Sequence, residues 1–155
     1  MMGGRGGAAP GGRGGGMNFG GFEQILISEL IPYIDANYRT IADQAHRAMA
    51  GLSMGGMQTH SIAMANLDKF SHIGLFSGST ISASEITDVA GFKEKVKALF
   101  MSCGSKENTT GLQASHDELE KIGIKSTTFV QPDAQHEWRV WRASLIQFLP
   151  LLFQD

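Results

Sequence analysis

The chain has 155 residues, of which 42% are apolar and 18% charged, so its length and composition fit one ordinary globular domain. A formal net charge of −2 gives no positive patch for nucleic acid or an anionic membrane surface, and no stretch reaches the roughly 18 apolar residues of a membrane span. Cys103 is the only cysteine, which excludes an intrachain disulfide framework and a zinc site built from cysteines.

The N-terminal segment is rich in glycine. Residues 1–21 hold eleven of the 20 glycines, so they have few side chains to bury and a high backbone entropy to lose on folding. We therefore predict a flexible arm over 1–21 and a folded domain over 22–155. Arg5 and Arg13 lie in the arm without interleaved aromatic residues, which disfavours an RNA-binding tail. The segment also lacks the apolar core of a signal peptide.

In the rest of the chain, stretches with apolar residues at helical spacing alternate with short continuous apolar runs. Apolar residues at three- and four-residue spacing predict a helix over 22–37, which Pro32 is expected to kink or shorten. Short apolar runs that end at glycine, serine or proline predict buried strands over 47–52, 72–77, 98–102 and 126–131. Longer stretches predict helices over 54–66, 112–122 with Gly123 just past its end, and 138–152.

Strands that alternate with helices in this way predict an α/β fold, in which a parallel sheet is covered by helices on both faces. Ligands bind such sheets at the carboxyl ends of the strands, so the loops that follow the strands are the places where a functional site is expected. Four loops qualify, at 53–56, 77–84, 103–110 and 132–137.

The first of these loops carries a nucleophile motif. The run Gly51-Leu52-Ser53-Met54-Gly55 fits G-x-S-x-G between a predicted strand and a predicted helix. The sharp turn of this motif strains the serine backbone, and the glycines on either side remove Cβ atoms that would collide. We predict Ser53 as the nucleophile and the Met54 N–H as an oxyanion donor, with Leu52 as a candidate pocket floor. The alternative is a glycine-rich turn with an incidental serine.

A serine hydroxyl needs a base within hydrogen-bond reach, and His136 lies in the loop after the last predicted strand. The other histidines are interpreted as surface or structural residues: His46, His60, His72 and His116. In the chain order serine, acid, histidine, the acid belongs in the 103–110 loop, where Glu107 is the only carboxylate. Asp133 is the alternative acid. Remoter candidates are Glu85 and Asp88.

Several segments of the sequence are similar to a known protein family. The runs 29–40, 51–56, 77–79 and 136–153 together resemble the esterase family of α/β-hydrolases that contains feruloyl esterases and acetyl xylan esterases of carbohydrate esterase family 1. The likeness covers about residues 19–153. It implies ester hydrolysis by a Ser-His-acid triad without a metal or cofactor. Ser53 matches the family's serine, and His136 matches the histidine of its H-x-W element.

The sequence departs from the family pattern near the acid and the base. The family's acid is usually an Asp in a G-x-x-D pattern, and aligning Gly104 there puts Glu107 at that place, whereas a one-residue shift puts Asn108 there. The segment that corresponds to the family's P-G-G-H motif, residues 132–136, contains one additional residue in this chain. Trp138, in the H-x-W element, is a candidate wall of the substrate site.

Family members place several strands, and the loop that donates the second oxyanion N–H, before the helix predicted over 22–37. The glycine-rich arm stands there in this sequence, so we expect the C-terminal part of an esterase domain, with an open sheet edge that promotes self-association. The expected function is a serine ester hydrolase that releases feruloyl or acetyl groups from plant cell-wall polysaccharide. Alternatives are a catalytically weak binding or assembly module and an acyltransferase. The resemblance suggests secretion.

Overall fold

The first helix includes two residues that precede its predicted start. A computed structural model describes residues 20–154 of the chain. The predicted arm over 1–21 lies outside these residues except for Gly20 and Gly21, which belong to the first helix instead. The prediction placed the helix start at Phe22, the first apolar residue of the pattern. Apolar spacing does not determine the terminal residues of a helix.

The first helical stretch is continuous but irregular. It consists of α1 (Gly20–Ile25), a π-helical segment (Leu26–Leu30) and α2 (Ile31–Asn37). Pro32 lies in the first turn of α2, and the Ile31 N–H donates to the Leu26 carbonyl, five residues back. The wider π turn precedes the proline, so Pro32 does not shorten the helix predicted over 22–37.

The sheet has four parallel strands in the order β1-β2-β3-β4. The strands are β1 (Ala48–Leu52), β2 (His72–Phe76), β3 (Ala98–Gly104) and β4 (Thr127–Gln131). The helices that follow them are α3 (Met54–Ala65), α4 (Val89–Lys95), α5 (Thr109–Lys121) and α6 (Trp138–Phe148). Short 3₁₀ turns lie at Ala83–Glu85 and Leu149–Leu151. The predicted α/β class and its four strands are confirmed.

Capping residues explain where the helices differ from the predictions. The apolar period does not reveal α4, because only Phe92 of this seven-residue helix is buried. Its start is fixed by Asp88, whose side chain accepts a hydrogen bond from the Gly91 N–H. Asn108 caps α5 in the same way and moves its start upstream of the predicted 112. The φ of 76° at Gly123 fits the predicted residue past the helix end.

The last helix is shorter than the predicted 138–152. It ends at Phe148, and the chain continues as a 3₁₀ turn that contains Pro150. Proline has no N–H to donate and its ring disfavours an α-helical turn behind it, so the apolar stripe continues past the point where the α-helix stops.

Each face of the sheet has its own core. The larger core packs strand side chains such as Ile73 and Leu75 against α3 and α5. The smaller core lies under α6 and is built from three rings: Phe76, Phe100 and Phe148. Gly74 of β2 faces this smaller core, where a Cβ atom would lie 3.0 Å from the Phe148 ring. Burial on both faces explains why the central strands β2 and β3 are apolar runs rather than alternating patterns.

β1 lies at one edge of the sheet, and within residues 20–154 no strand pairs with its outer side. Beside it is an apolar groove of about 900 Å³ that is lined mainly by β1, α1, the π-helical segment and α2. Exposed apolar side chains border this groove: Phe22, Leu30, Ile34 and Ile41. In the described part of the chain, no helix is long and apolar enough to span a bilayer.

Candidate active site

The turn between β1 and α3 holds Ser53 in a strained conformation. Its φ is 51° and its ψ is −121°, which L-residues rarely adopt. The Ser53 N–H donates to the Phe76 carbonyl of β2 at 2.8 Å, and the Ser53 carbonyl accepts from Gly56 and Met57. Met54 is the first residue of α3, so its N–H has no acceptor within the helix. The turn therefore presents Ser53 and the Met54 N–H together at the carboxyl end of β1.

Glycine is required at this turn, but not at both predicted positions. A Cβ on Gly51 would lie 2.1 Å from the Gly55 carbonyl oxygen, whereas a Cβ on Gly55 would meet no atom within 4 Å. The second crowded position is Gly78, after β2, where a Cβ would lie 2.2 Å from the Ser53 carbonyl oxygen. The prediction for Gly55 was wrong, because the motif does not show that the loop after β2 closes over the turn.

His136 reaches Ser53 from the loop between β4 and α6. Its Nε2 atom lies 2.8 Å from the Ser53 Oγ, and its Nδ1 atom lies 2.9 Å from Glu107 Oε1. Ala134 in the same loop is buried, and its carbonyl accepts a hydrogen bond from the Lys106 N–H at 2.9 Å. The imidazole itself is 49% exposed, so a substrate can approach the Ser53–His136 pair from solvent.

Glu107 is held from three sides in the loop after β3. Its Oε2 accepts hydrogen bonds from the Gly104 N–H at 2.6 Å and from the Ser77 hydroxyl at 2.8 Å, while Oε1 faces His136. Burial by itself raises the pKa of Glu107, but these hydrogen bonds outweigh it and leave the pKa below its ordinary value. The carboxylate is therefore ionised at neutral pH, with a side chain only 15% exposed.

Comparisons with known proteins identify the family of this chain. Residues 13–110 match the sequence model of the family described as "Putative esterase". The chain belongs to this esterase family. It is 43% identical over 133 residues to an endo-1,4-beta-xylanase/feruloyl esterase of Xylanibacter ruminicola, an alignment that covers 86% of this chain and 18% of that protein.

Solved esterases share the fold. A ferulic acid esterase superposes with a TM-score of 0.63 at 26% identity, covering 83% of this chain and 59% of the other. A CE1 ferulic acid esterase from Anaeromyces mucronatus in complex with ferulic acid superposes with a TM-score of 0.67 at 20% identity, covering 85% and 54%. The chain therefore spans less than two thirds of these relatives. The likeness to the Anaeromyces protein shows the fold alone.

The alternative acids lie elsewhere in this esterase-family chain. Asp133 forms an ion pair with Lys106 at 2.5 Å and does not contact His136. Asn108 caps α5, so the one-residue shift in the G-x-x-D alignment does not describe its position. The remoter candidates are used in local caps: Asp88 at α4 and Glu85 at the 3₁₀ turn. Among these carboxylates and amides, Glu107 is the one that meets His136.

The two predicted substrate-binding residues, Leu52 and Trp138, differ in their exposure to solvent. Leu52 is partly buried and packs against the smaller core rather than forming an open surface. Trp138 is 66% exposed at the start of α6, and its ring contacts Trp141 edge-on at a centroid distance of 5.1 Å. Trp141 in turn lies edge-on to His136, also at 5.1 Å. The two tryptophans therefore form a short aromatic wall beside the imidazole.

Two contacts of the site are missed by sequence reasoning. Ser77, which holds Glu107, and Trp141, which contacts His136, are absent from the predicted site residues. For Ser77 a signal existed, because the 77–79 run belongs to the family resemblance and follows a strand at the same edge of the sheet. Trp141 lies three residues after Trp138, a helical spacing that is also typical of core residues and so does not point to the site.

Proposed function

We propose that this chain is a serine carboxylic-ester hydrolase in which Ser53 is the nucleophile, His136 the base and Glu107 the orienting acid. The observation that carries the proposal is the 2.8 Å contact between the Ser53 Oγ and His136 Nε2 at a strained serine. A hydroxyl in this position loses its proton to the imidazole as it attacks an ester carbonyl. Glu107 fixes the imidazole through Nδ1 and stabilises its protonated form.

The proposed reaction has two half-reactions. Attack by Ser53 on the ester carbonyl forms a tetrahedral intermediate whose oxyanion accepts a hydrogen bond from the Met54 N–H. The intermediate collapses to an acyl-serine as His136 gives the proton to the leaving alcohol. A water molecule, deprotonated by His136, then attacks the acyl-serine, and the acid leaves as His136 returns the proton to the Ser53 Oγ.

For the substrate, we propose feruloyl or acetyl esters of plant cell-wall polysaccharide. The support is the 43% identity to the Xylanibacter ruminicola protein, whose name combines xylanase and feruloyl esterase. The exposed ring of Trp138, close to the imidazole through Trp141, offers a flat surface for an aromatic acyl group or a sugar. Leu52, the predicted pocket floor, packs against the smaller core together with Trp141 and is not part of this surface.

The proposal is tested by measuring the hydrolysis of acetyl, p-nitrophenyl and feruloyl esters by the parent protein, with Ser53→Ala as the matched inactive variant. A fluorophosphonate probe should label the parent at Ser53 and leave the variant unlabelled. Hydrolysis with labelling supports the enzyme. A parent protein that neither hydrolyses any ester of the panel nor takes up the probe would instead be a binding or assembly module with a hydrolase fold.

For the open edge, we propose that β1 and the apolar groove beside it associate with a second copy of the chain. Unpaired strand edges and exposed apolar side chains favour pairing with another chain. Ile41, which is 62% exposed, borders this groove, and Ile146, which is 66% exposed, lies on α6 and serves as its control. In sedimentation experiments, Ile41→Lys should shift the protein to monomer, whereas Ile146→Lys should not. A monomeric parent protein would refute the proposal.

A further inference from the structure

The loop over residues 77–79, which we call the SGS loop, touches both halves of the candidate active site. Ser77 has a φ of 51° and donates its hydroxyl hydrogen to Glu107 at 2.8 Å. Gly78 packs against the nucleophile turn so closely that a Cβ would lie 2.2 Å from the Ser53 carbonyl oxygen. A shift of this loop would therefore move the contacts of the acid and of the nucleophile turn at the same time.

The third residue of the SGS loop is tied to α3. The Ser79 Oγ lies 2.6 Å from His60 Nδ1, and His60 Nε2 lies 2.7 Å from Glu85 Oε2. His60 is on α3, seven residues after Ser53. His60 therefore lies about two helical turns from the start of the helix. The His60 side chain is only 18% exposed.

Glu85 is itself fixed before it meets His60. Its Oε1 accepts hydrogen bonds from the N–H and the hydroxyl of Ser82, both at 2.8 Å, which closes the 3₁₀ turn and leaves Oε2 for the imidazole. Burial raises the pKa of Glu85, but the Ser82 hydrogen bonds and the neighbouring His60 ring outweigh it and lower the pKa. His60 thus bridges the SGS loop to an ionised, immobilised carboxylate.

We propose that His60 is a positioning residue of the esterase site, which locks the SGS loop through Ser79 and so holds Ser77 on Glu107 and Gly78 on the Ser53 turn. This proposal rests on the ester hydrolysis proposed above. It assigns a role to a histidine that sequence reasoning interprets as a surface or structural residue.

The contacts of Ser79 also raise a competing interpretation, because serine, imidazole and glutamate here form a second Ser-His-Glu series. The structure favours a positioning role for His60 over a second catalytic triad. Among the described residues with positive φ are Ser53 and Ser77 but not Ser79, and no α-helix begins directly behind Ser79 to offer an oxyanion N–H. The turn at Ser53 has both features, which expose the hydroxyl and supply an oxyanion donor in a hydrolase of this fold.

The chain contains a matched control for His60. His116 on α5 has its Nδ1 atom 2.7 Å from the Ser126 Oγ and its Nε2 atom 3.6 Å from Glu120 Oε1, with a side chain 20% exposed. It therefore makes the same kind of serine and glutamate contacts at similar burial, and none of its described contacts is with the candidate site. His116→Ala reports what the loss of such a histidine does to the fold in general.

The test compares His60→Ala, Ser79→Ala and Ser79→Thr with His116→Ala. Displacing a catalytic group by about 1 Å can cost up to roughly a hundredfold in rate, so we expect kcat to fall tenfold to a hundredfold in the first two variants. KM should stay within about twofold, because the substrate surface is untouched. Ser79→Thr keeps the hydroxyl and should retain most of the activity, and His116→Ala should keep the parent kcat.

A measurement without substrate separates this proposal from the proposed function. In proton NMR of the parent, the Nδ1 proton that His136 shares with Glu107 should give a downfield resonance. That resonance should broaden or move upfield in His60→Ala and Ser79→Ala but not in His116→Ala. If the parent hydrolyses no ester, the proposed function fails, while this resonance still decides whether His60 holds Glu107 in place.

Three results would overturn the positioning role. The first is an unchanged kcat and an unchanged His136 resonance in Ser79→Ala, which removes a single oxygen and so tests the contact even if His60→Ala fails to fold. The second is a Ser79→Thr variant as slow as Ser79→Ala, which would point to packing rather than the hydrogen bond. The third is a fluorophosphonate adduct on Ser79 in Ser53→Ala protein, which would make Ser79 a second nucleophile.

Discussion

The hydroxyl of Ser77 and the carboxylate of Glu107 are joined by a hydrogen bond of 2.8 Å that connects the carboxyl ends of β2 and β3. Because Oε2 is occupied by Ser77 and the Gly104 N–H, Oε1 is directed at His136. The same bonds that orient the carboxylate also lower its pKa against the opposing effect of burial. Orientation and ionisation of the acid therefore depend on the same donors.

Removing the Ser77 hydroxyl should raise the pKa of Glu107 toward its ordinary value. Glycine is the appropriate replacement, because the φ of 51° at Ser77 would strain alanine. In a ¹³C titration of the carboxyl groups, Glu107 should protonate at a higher pH in Ser77→Gly than in the parent.

The matched control for this titration is Ser105→Gly, an exposed serine in the same loop as Glu107. It introduces a glycine into the loop of Glu107 without removing a donor to the carboxylate. If Ser77→Gly left the Glu107 titration where Ser105→Gly leaves it, the 2.8 Å contact would not determine the pKa.

Ser53→Ala and His136→Ala should each abolish turnover. Serine, base and acid act as a unit, so either loss is expected to lower kcat by roughly 10⁴–10⁶-fold. Little stability should be lost, because both side chains lie in loops at the sheet edge and His136 is half exposed. Ester hydrolysis and urea denaturation of both variants measure the two effects, and parent-like activity in either variant would refute its assigned role.

Glu107→Gln and Asp133→Asn distinguish the two candidate acids. Glutamine cannot stabilise the charged imidazole and favours the wrong tautomer, so kcat should fall by roughly 10³–10⁴-fold. Asp133→Asn breaks only an exposed ion pair with Lys106 and should leave kcat nearly unchanged. Steady-state kinetics on one ester decides the matter, and the reverse ranking would show that Asp133 takes over as the acid in solution.

The sequence predicts those parts of the fold and site that are encoded locally. The central strands β2 and β3 are apolar runs because both of their faces are buried, and Ser53 is found because its motif describes a turn of five consecutive residues. Glu107 follows from chain order and from being the only carboxylate in its loop. These inferences need no knowledge of how distant loops meet.

What the sequence does not predict depends on contacts between loops. Gly78 is crowded by the nucleophile turn although 25 residues of chain separate it from Ser53. His60 meets Ser79 and Glu85 across a helix and a loop, and no spacing rule describes that encounter. The helix boundaries at Asn108 and Pro150 were set by capping and by proline rather than by the apolar period.

The backbone strain at Ser53 can be measured by comparing Ser53→Gly with Ser53→Ala. Both variants lose the hydrogen bond to His136, but only glycine adopts a φ of 51° and a ψ of −121° without steric cost. Such strain destabilises the folded state by about 1–3 kcal/mol in the alanine variant. Glycine avoids the strain but destabilises the folded state by about 0.5–1 kcal/mol, because it loses more backbone entropy on folding. Urea denaturation should therefore find Ser53→Gly more stable than Ser53→Ala by roughly 1 kcal/mol.

The same pair of substitutions at Ser61 provides the control with the opposite sign. Ser61 is exposed within α3, where a regular helical backbone makes glycine less stable than alanine by about 0.8–1.0 kcal/mol. A positive difference at Ser53 together with a negative one at Ser61 isolates the strained turn from the general effect of glycine. Should Ser53→Ala prove as stable as Ser53→Gly, the turn would be relaxed in solution, and Ser53 would owe its reactivity to His136 alone.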